Sequence, residues 1–204
     1  GMTAHYLVNS TYAVGSGTVA LVHAAAGGVG QLLVQMVTAK GGTVIATAGS
    51  DAKLEIARGL GASAAINYRA TDDLAAEVRK ANGGTGVHVV YDGVGKSTFD
   101  ASLASLRPRG TMVLFGGASG QVPPFDIQRL NASGSRFLTR PKLGDYVAER
   151  SEYEWRAAEV LGAVADGSLK VDIGGRYPLA EAAAAYEALE GRQTTGKLVL
   201  VPGA

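Results

Sequence analysis

The sequence contains no cysteine, and its charges nearly cancel, with 19 lysines and arginines against 18 aspartates and glutamates. Without cysteine, disulfide bonds, thiolate nucleophiles and cysteine-ligated zinc sites are excluded. A net charge of +1 provides no overall field that would attract nucleic acid or an anionic membrane, so we expect neither as a partner. The lack of cysteine also permits a reducing compartment, and we expect a cytoplasmic protein.

Charged residues are also missing from one long stretch, residues 6–39, which is long enough to cross a membrane. Asn9, Gln31, Gln35 and several glycines interrupt it, so a buried strand followed by a buried helix explains it better. No basic segment followed by an apolar core opens the chain, and we expect no signal peptide. With 47% hydrophobic residues, the sequence has enough apolar material for a substantial core.

Glycine, in contrast, is abundant, with 29 among 204 residues, against a usual share of about 7%. Many of the glycines end short apolar runs. These runs predict six strands, at residues 18–24, 43–48, 64–68, 87–92, 111–115 and 135–139. Helices are predicted between the first five, at 27–40, 50–58, 72–81 (capped by Thr71) and 97–106. Alternating strands and helices indicate an α/β fold, a Rossmann-type doubly wound parallel sheet in the order 3-2-1-4-5-6.

The flanking segments have a different pattern. Residues 1–10 predict a lead-in helix. After the sixth strand we predict a long helix at 149–165, a turn at 177–179, a helix at 180–189 and a last strand at 197–201. We therefore expect a dinucleotide-binding domain at residues 1–165 and a separate C-terminal segment at residues 166–204.

The main chemical signal is the glycine loop at residues 24–30, AAAGGVG, between the first strand and its helix. Backbone amides at a helix start carry partial positive charge, and glycines let phosphates approach them. Gly30 would let the helix lie close to the sheet. The motif is not a strict G-x-G-x-x-G, and a tight turn without a ligand is the alternative. Its place in a βαβ unit favours a dinucleotide site.

The end of the second strand indicates which dinucleotide binds. An acidic residue that binds the ribose of NAD is expected there, but Gly49 and Ser50 occupy the place, and Lys53 follows one turn later. A lysine suits a phosphate, so the pattern favours NADPH. Asp51 leaves NAD open, because it is either a first-turn helix residue or a ribose ligand. Lys53 is alternatively an ordinary solvated lysine.

Several longer phrases resemble one family. VHAAAGGVG (22–30), GASAAINYR (61–69), VVYDGVGKSTFDASLASLRPRGTMVLFGGASG (89–120), FLTRP (137–141) and GKLVL (196–200) are similar to zeta-crystallin-like NADPH:quinone oxidoreductases, which are zinc-independent medium-chain dehydrogenases/reductases. The resemblance implies hydride transfer from NADPH to a quinone or another conjugated carbonyl. The family has roughly 120 further residues before GMTAHYL, which form most of a GroES-like substrate domain. We therefore expect a cofactor-domain fragment that is inactive by itself, with its C-terminal elements belonging to that domain.

The resemblance also implies cofactor-binding residues, which fall into three groups. The pyrophosphate group is Gly28 and Val29. The group at the adenosine ribose phosphate is Gly49, Ser50, Lys53 and Tyr68, with Arg192 near it. In the third group, Gly93 and Val94 lie over the middle of the cofactor, and the residues near the nicotinamide are Phe115, Gly116, Gly117, Leu138, Thr139 and Arg140. Tyr6 of the lead-in helix matches a tyrosine near the cofactor. Tyr68 and Phe115 are alternatively core aromatics, and Arg140 a surface charge.

No catalytic residue is identified from the sequence. His23 and His88 lie within predicted strands and are expected to be structural, and no cluster has the spacing of a metal site. No serine sits in a G-x-S-x-G elbow, so a hydrolase triad is unsupported.

The resemblance suggests a homodimer joined edge to edge through the sixth strand, near residues 135–139. Two alternatives to the quinone reductase stay open. One is an enoyl-reductase module of the polyketide-synthase type, which shares the AAAGGVG phrase, and the other is a non-catalytic NADPH-binding protein.

Overall fold

The computed structural model of the chain describes residues 1–191 and 194–203, which form two β-sheets and eight α-helices. In chain order the elements are α1 (Met2–Tyr6), β1 (Val19–Val22), α2 (Gly28–Ala39), β2 (Thr43–Ala48), α3 (Asp51–Gly59), β3 (Ala64–Asn67), α4 (Leu74–Ala81), β4 (Val87–Asp92), α5 (Phe99–Ser105), β5 (Leu106–Leu114), α6 (Gln128–Ala132), β6 (Phe137–Thr139), α7 (Arg150–Ala165), β7 (Ile173–Pro178), α8 (Ala182–Glu190) and β8 (Lys197–Val201). A π-helical turn, Leu7–Thr11, continues α1, which confirms the predicted lead-in helix.

The larger sheet is parallel and has the order β3-β2-β1-β4-β5-β6, so the predicted fold class is confirmed. Residues 19–22 of β1 pair with residues 43–46 of β2 on one side, and residues 20–22 pair with residues 89–91 of β4 on the other. The direction in which successive strands are added to the sheet reverses between β1 and β4, because β2 and β3 extend the sheet on one side of β1 and β4 to β6 extend it on the other. β6 forms an edge, as predicted.

Hydrophobic side chains cover both faces of this sheet. Along β1, Ala20 and Val22 join a core that includes residues of α1 and α2. Leu21, which points to the opposite face, joins a second core with residues of α4 and α5. This alternation is what a strand buried on both faces produces.

The uncharged stretch at residues 6–39 is thus divided among the lead-in helical turns, β1 and α2. No helix within residues 1–191 and 194–203 is long and apolar enough to cross a membrane.

The smaller sheet corrects one prediction. Residues 177–179 were expected to form a turn, but Tyr177 and Pro178 end strand β7, which pairs in parallel with β8, and Leu179 begins a short 3₁₀ helix. Residues 179–196 separate the two paired strands, so local residue preferences do not encode the pairing. The predicted boundary at residues 165 and 166 stays a prediction.

Two element starts also differ from the sequence-based assignment. The cap of α4 is Asp73, whose carboxylate accepts a hydrogen bond from the Ala76 amide at 2.9 Å, while Thr71 accepts one from the Asp73 amide. β5 begins at Leu106 rather than at Thr111, because Leu106 pairs with Val87 ahead of an irregularity in the ladder.

Candidate functional site

The predicted cofactor residues lie along the edge of the larger sheet that is formed by the carboxyl ends of its strands. All six strands are parallel, so their carboxyl ends lie along the same edge. Ligands of such sheets bind where the strand order reverses, here between β1 and β4. Across the edge, the residues follow the strands in this order: Tyr68 after β3, Gly49 and Ser50 after β2, Gly28 and Val29 after β1, Gly93 and Val94 after β4, Phe115, Gly116 and Gly117 after β5, and Leu138, Thr139 and Arg140 in and after β6.

The glycine loop occupies the centre of this edge. Ala24 has a φ of 49°, and its carbonyl oxygen accepts a hydrogen bond from the Gly27 amide at 2.9 Å, so the chain turns sharply into α2. At the first helical turn, Gly28 and Val29 present amides that have no partner within the helix. A Cβ on Gly30 would lie 2.8 Å from the Cα of Ala25. Only glycine therefore allows this close approach of helix and turn.

A segment from the end of the chain closes over the glycine loop, which sequence reasoning missed. The Gly196 amide donates a hydrogen bond to the Ala26 carbonyl at 3.0 Å, and Gly196 forms an isolated parallel bridge with Gly27. A Cβ on Gly28 would lie 3.1 Å from the Gly196 oxygen. The predicted Arg192 precedes this segment and lies outside the described residues.

The corner at the ends of β2 and β3 brings Gly49 and Tyr68 together. A Cβ on Gly49 would lie 2.6 Å from the Tyr68 hydroxyl and 3.3 Å from Nε of Arg69. Tyr68 is half-buried, so it borders the edge and is not a core aromatic. Lys53 is also half-buried and lies in the first turn of α3, which starts beside this corner.

The structure at this corner decides between the two interpretations of Asp51, a first-turn helix residue or a ribose ligand. Asp51 is the first residue of α3, after Ser50 at the N-cap, whose side chain makes no capping hydrogen bond. The Asp51 carboxylate accepts a hydrogen bond from Nδ2 of Asn67 at 3.0 Å. Asp51 is thus a first-turn helix residue with a partner of its own. Sequence reasoning did not identify Asn67 and Arg69 as residues of this corner. Both flank Tyr68 in the phrase INYR (66–69), which is the sequence signal that could have identified them.

The loops that follow β4 and β5 pack against each other, next to the centre of this edge. The Phe115 ring lies 2.9 Å from where a Cβ on Gly93 would be, and a Cβ on Gly116 would lie 2.9 Å from the Cα of Gly93. The Ser119 amide donates to the Val94 carbonyl at 2.8 Å. These contacts bring Gly93, Val94, Phe115 and Gly116 into one surface, with Gly117 exposed next to them.

Tyr6, in the lead-in helix, is buried, and it lies near enough to Arg140 to interact with its charge. Its ring stacks on Tyr146, with centroids 4.4 Å apart and planes 9° from parallel. Burial, the largest cause, and the neighbouring Tyr146 raise the pKa of the Tyr6 phenol, while the charge of Arg140 opposes that shift. Arg140 is exposed, whereas Leu138 and Thr139 in β6 are half-buried. Tyr146 had no local sequence signal.

His23 and His88 have the structural surroundings expected of them. His23 lies between the hydroxyls of Thr47 and Ser102, at 2.8 and 2.9 Å, and burial lowers the pKa of its imidazole. Nδ1 of His88 accepts a hydrogen bond from the Val19 amide at 3.0 Å. Neither histidine belongs to a group of metal-ligating side chains within the described parts of the chain.

Comparisons with known proteins agree with this geometry. The family described as zinc-binding dehydrogenase matches residues 28–162. A 2-haloacrylate reductase from Burkholderia sp is 45% identical over all of this chain and 61% of its own length. The crystal structure of Escherichia coli quinone oxidoreductase complexed with NADPH has a TM-score of 0.95 at 40% identity, covering 98% of this chain and 62% of that one. A mycobacterial protein complexed with NADPH has the same TM-score at 50% identity, with the same coverage.

A more distant relative bears on the enoyl-reductase alternative. A phthioceranic/hydroxyphthioceranic acid synthase of Mycobacterium tuberculosis is 30% identical over 97% of this chain, which matches 9% of the synthase. The chain itself spans about three fifths of the length of its more similar curated relatives.

Proposed function

Because the chain belongs to the zinc-binding dehydrogenase family, we propose that it is the NADPH-binding part of an oxidoreductase that transfers hydride to a quinone or another conjugated carbonyl. The resemblance to quinone oxidoreductases found in the sequence phrases is confirmed by these relatives. The observation that carries the proposal is the glycine loop at the reversal point of a parallel sheet. In this proposal residues 1–165 form the cofactor domain, and the protein is cytoplasmic.

We propose that the chain works without zinc, although its family is described as zinc-binding. The sequence has no cysteine, and in residues 1–191 and 194–203 no three histidine, aspartate or glutamate side chains form a group that could hold a metal ion. The donor set therefore does not fit zinc.

The glycine loop fits a dinucleotide diphosphate. The amides of Gly28 and Val29 open α2, where the helix dipole favours negative charge. When bound, NADPH supplies the hydride, and the chain positions its two ends. In this proposal Gly93 and Val94 lie over the middle of the cofactor, and Tyr6 lies near it. The residues that border the nicotinamide end are Phe115, Gly116, Gly117, Leu138, Thr139 and Arg140. No residue of the chain is assigned as the proton donor.

Selectivity for the extra phosphate of NADPH is proposed for the corner at Gly49. Within residues 1–191 and 194–203, Lys53 in the first turn of α3 and Arg69 next to Tyr68 supply cations near this corner, and Ser50 and Tyr68 add hydroxyls. The Asp51 carboxylate, which would be the ribose ligand of NADH, already accepts a hydrogen bond from Asn67. The corner therefore suits a phosphate better than the bare ribose of NADH.

Lys53→Ala and Arg69→Ala should each weaken NADPH binding by about 1–3 kcal/mol, the value of a lost charge-assisted contact, with little effect on NADH. The measurement is calorimetric titration of both nucleotides. Arg58→Ala is the matched control, because Arg58 is also a cation of α3 but pairs with Glu55 on the exposed side. Equal losses for NADPH and NADH would contradict the phosphate role. Failure of the unmodified chain to bind NADPH would contradict the proposed function itself.

The match to the synthase is the observation that supports the enoyl-reductase alternative. It uses the same cofactor corner and glycine loop and differs in the acceptor, which is an enoyl thioester instead of a quinone. The higher identity to the reductases makes the quinone or conjugated carbonyl acceptor the proposal.

We also propose a homodimer joined through β6. This strand pairs only with β5 in the described sheet, and its Phe137 side chain is 61% exposed. An unpaired strand edge favours association with a second edge.

Light scattering of the chain at micromolar concentration should give twice the chain mass of 20.8 kDa. Phe137→Lys should shift the mass to that of the monomer, since a lysine on a strand edge opposes pairing. Ile127→Lys is the control, because Ile127 is 68% exposed but lies outside the strands. A monomeric mass for the unmodified chain would rule the dimer out.

A further inference from the structure

The carboxylate of Asp92, the last residue of β4, is fully buried directly before the loop proposed for the middle of the cofactor. Its Oδ1 accepts hydrogen bonds from the amides of Val94, at 2.8 Å, and Gly95, at 3.0 Å. The Thr98 hydroxyl lies 2.7 Å from Oδ2, and the Ser102 hydroxyl donates to the same oxygen at 2.7 Å. Every group that faces the carboxylate is a donor, which is the arrangement an acceptor-only carboxylate requires.

The Ser102 hydroxyl fixes the direction of the next hydrogen bond. Its single proton goes to Asp92, so its oxygen accepts from Nε2 of His23, 2.9 Å away. This places a proton on Nε2 of His23, and in the neutral imidazole Nδ1 then accepts from the Thr47 hydroxyl, at 2.8 Å. Burial, which lowers the pKa of His23 against the opposing charge of Asp92, favours this neutral form.

The side chains of Asp92, Ser102, His23 and Thr47 connect three parts of the candidate site, at the ends of β4, β1 and β2. Thr47 lies two residues before Gly49 at the phosphate corner, and His23 directly precedes the glycine loop. Ser102 is on α5, and Asp92 precedes Gly93. The hydrogen-bond chain thus runs beneath the edge from the end of β2, past β1, to the end of β4.

We propose that Asp92 is a positioning residue for the dinucleotide, and that Asp92, Ser102, His23 and Thr47 form one directional hydrogen-bond chain that holds the ends of β4, β1 and β2 in register for it. A charged acceptor strengthens the bonds that shape the Val94–Gly95 turn, and buried bonds in series polarise one another. Removing one hydrogen-bonding side chain of this series therefore weakens nucleotide binding, even at loops that this side chain does not contact. This inference rests on the proposed function.

Asp92→Asn tests the direction of the chain. The asparagine Oδ1 still accepts from the two loop amides, but its NH₂ group faces Ser102, which then donates to Nε2 of His23. The proton of His23 moves to Nδ1. We expect ¹⁵N–¹H correlation spectra of the histidine-labelled chain to show the Nε2–H form in the unmodified protein and the Nδ1–H form in this variant. An unchanged tautomer, or a charged His23 at neutral pH in the unmodified protein, would overturn the directional chain.

Ser102→Ala tests the coupling to nucleotide binding, because it cuts the chain while three donors still face Asp92. We expect the Kd for NADPH to rise about 10-fold, the effect of one hydrogen bond to a charged group, and Ser102→Thr to restore it. Ser105→Ala is the matched control, since Ser105 is buried on the same helix but donates to the Ala101 carbonyl at 2.7 Å. Equal changes in Kd for the two alanine variants would refute the positioning role. The tautomer measurement needs no nucleotide, so it can succeed even if the unmodified chain fails to bind NADPH and the proposed function falls.

Discussion

Replacing Gly30 with alanine is expected to destabilise the chain by about 3 kcal/mol, as overpacking against rigid atoms does, and to abolish measurable nucleotide binding. The added Cβ would lie 2.8 Å from the Cα of Ala25 and closer still to the Ala24 carbonyl oxygen. Both are backbone atoms of the turn that precedes α2. The clash therefore cannot be relieved by the movement of a flexible side chain. Relief requires α2 to move away from the sheet, which also displaces the amides of Gly28 and Val29.

Urea denaturation gives the free energy of unfolding, and NADPH titration gives the loss of binding. Gly162→Ala provides the control, because Gly162 lies within α7 and a Cβ there would have no neighbour within 4 Å. That variant should gain roughly 0.5–1 kcal/mol of stability from the better helix propensity of alanine. Equal stability of the Gly30 and Gly162 variants would show that helix and turn do not depend on the close approach.

Arg156→Ala should cost about 3 kcal/mol, because it removes a buried cation that hydrogen-bonds through each of its three nitrogens. The side chain of Arg156 is 0% exposed, although it belongs to the otherwise largely exposed α7. Its guanidinium donates to the Tyr146 carbonyl at 2.8 Å and to Glu152 at 2.6 Å, contacts Nδ1 of His5 at 3.3 Å and covers the Trp155 ring. The substitution therefore releases Tyr146, the residue on which Tyr6 stacks.

Arg150→Ala is a control on the same helix with the same spacing. Arg150 pairs with Glu154 four residues later, as Arg156 does with the preceding Glu152, but its side chain is 91% exposed. An exposed pair contributes at most about 0.5 kcal/mol, so this variant should barely change the denaturation midpoint. Similar losses for the two variants would indicate that burial contributes nothing to the value of Arg156.

The elements of the larger sheet could be predicted because each strand is a short apolar run with a turn signal at its end. Val87–Asp92 and Thr43–Ala48 were predicted with the bounds that the structure has. The start of β5 and the cap of α4 were wrong, since pairing with Val87 decides the first and competition between Thr71 and Asp73 the second. The predicted cofactor residues lie along the expected edge, but their contacts with the nucleotide stay predictions.

By itself, the sequence determined the order of strands and helices, the place of the glycine loop and the absence of an acidic residue at the end of β2. These features follow from periodicity and residue type, which are local properties of the chain. Only the tertiary structure decided that Gly196 covers the glycine loop, that Asn67 pairs with Asp51 and that Asp92, Ser102, His23 and Thr47 meet in one chain of hydrogen bonds. Those contacts join residues far apart in sequence, and their partners are selected by how the strands and helices pack.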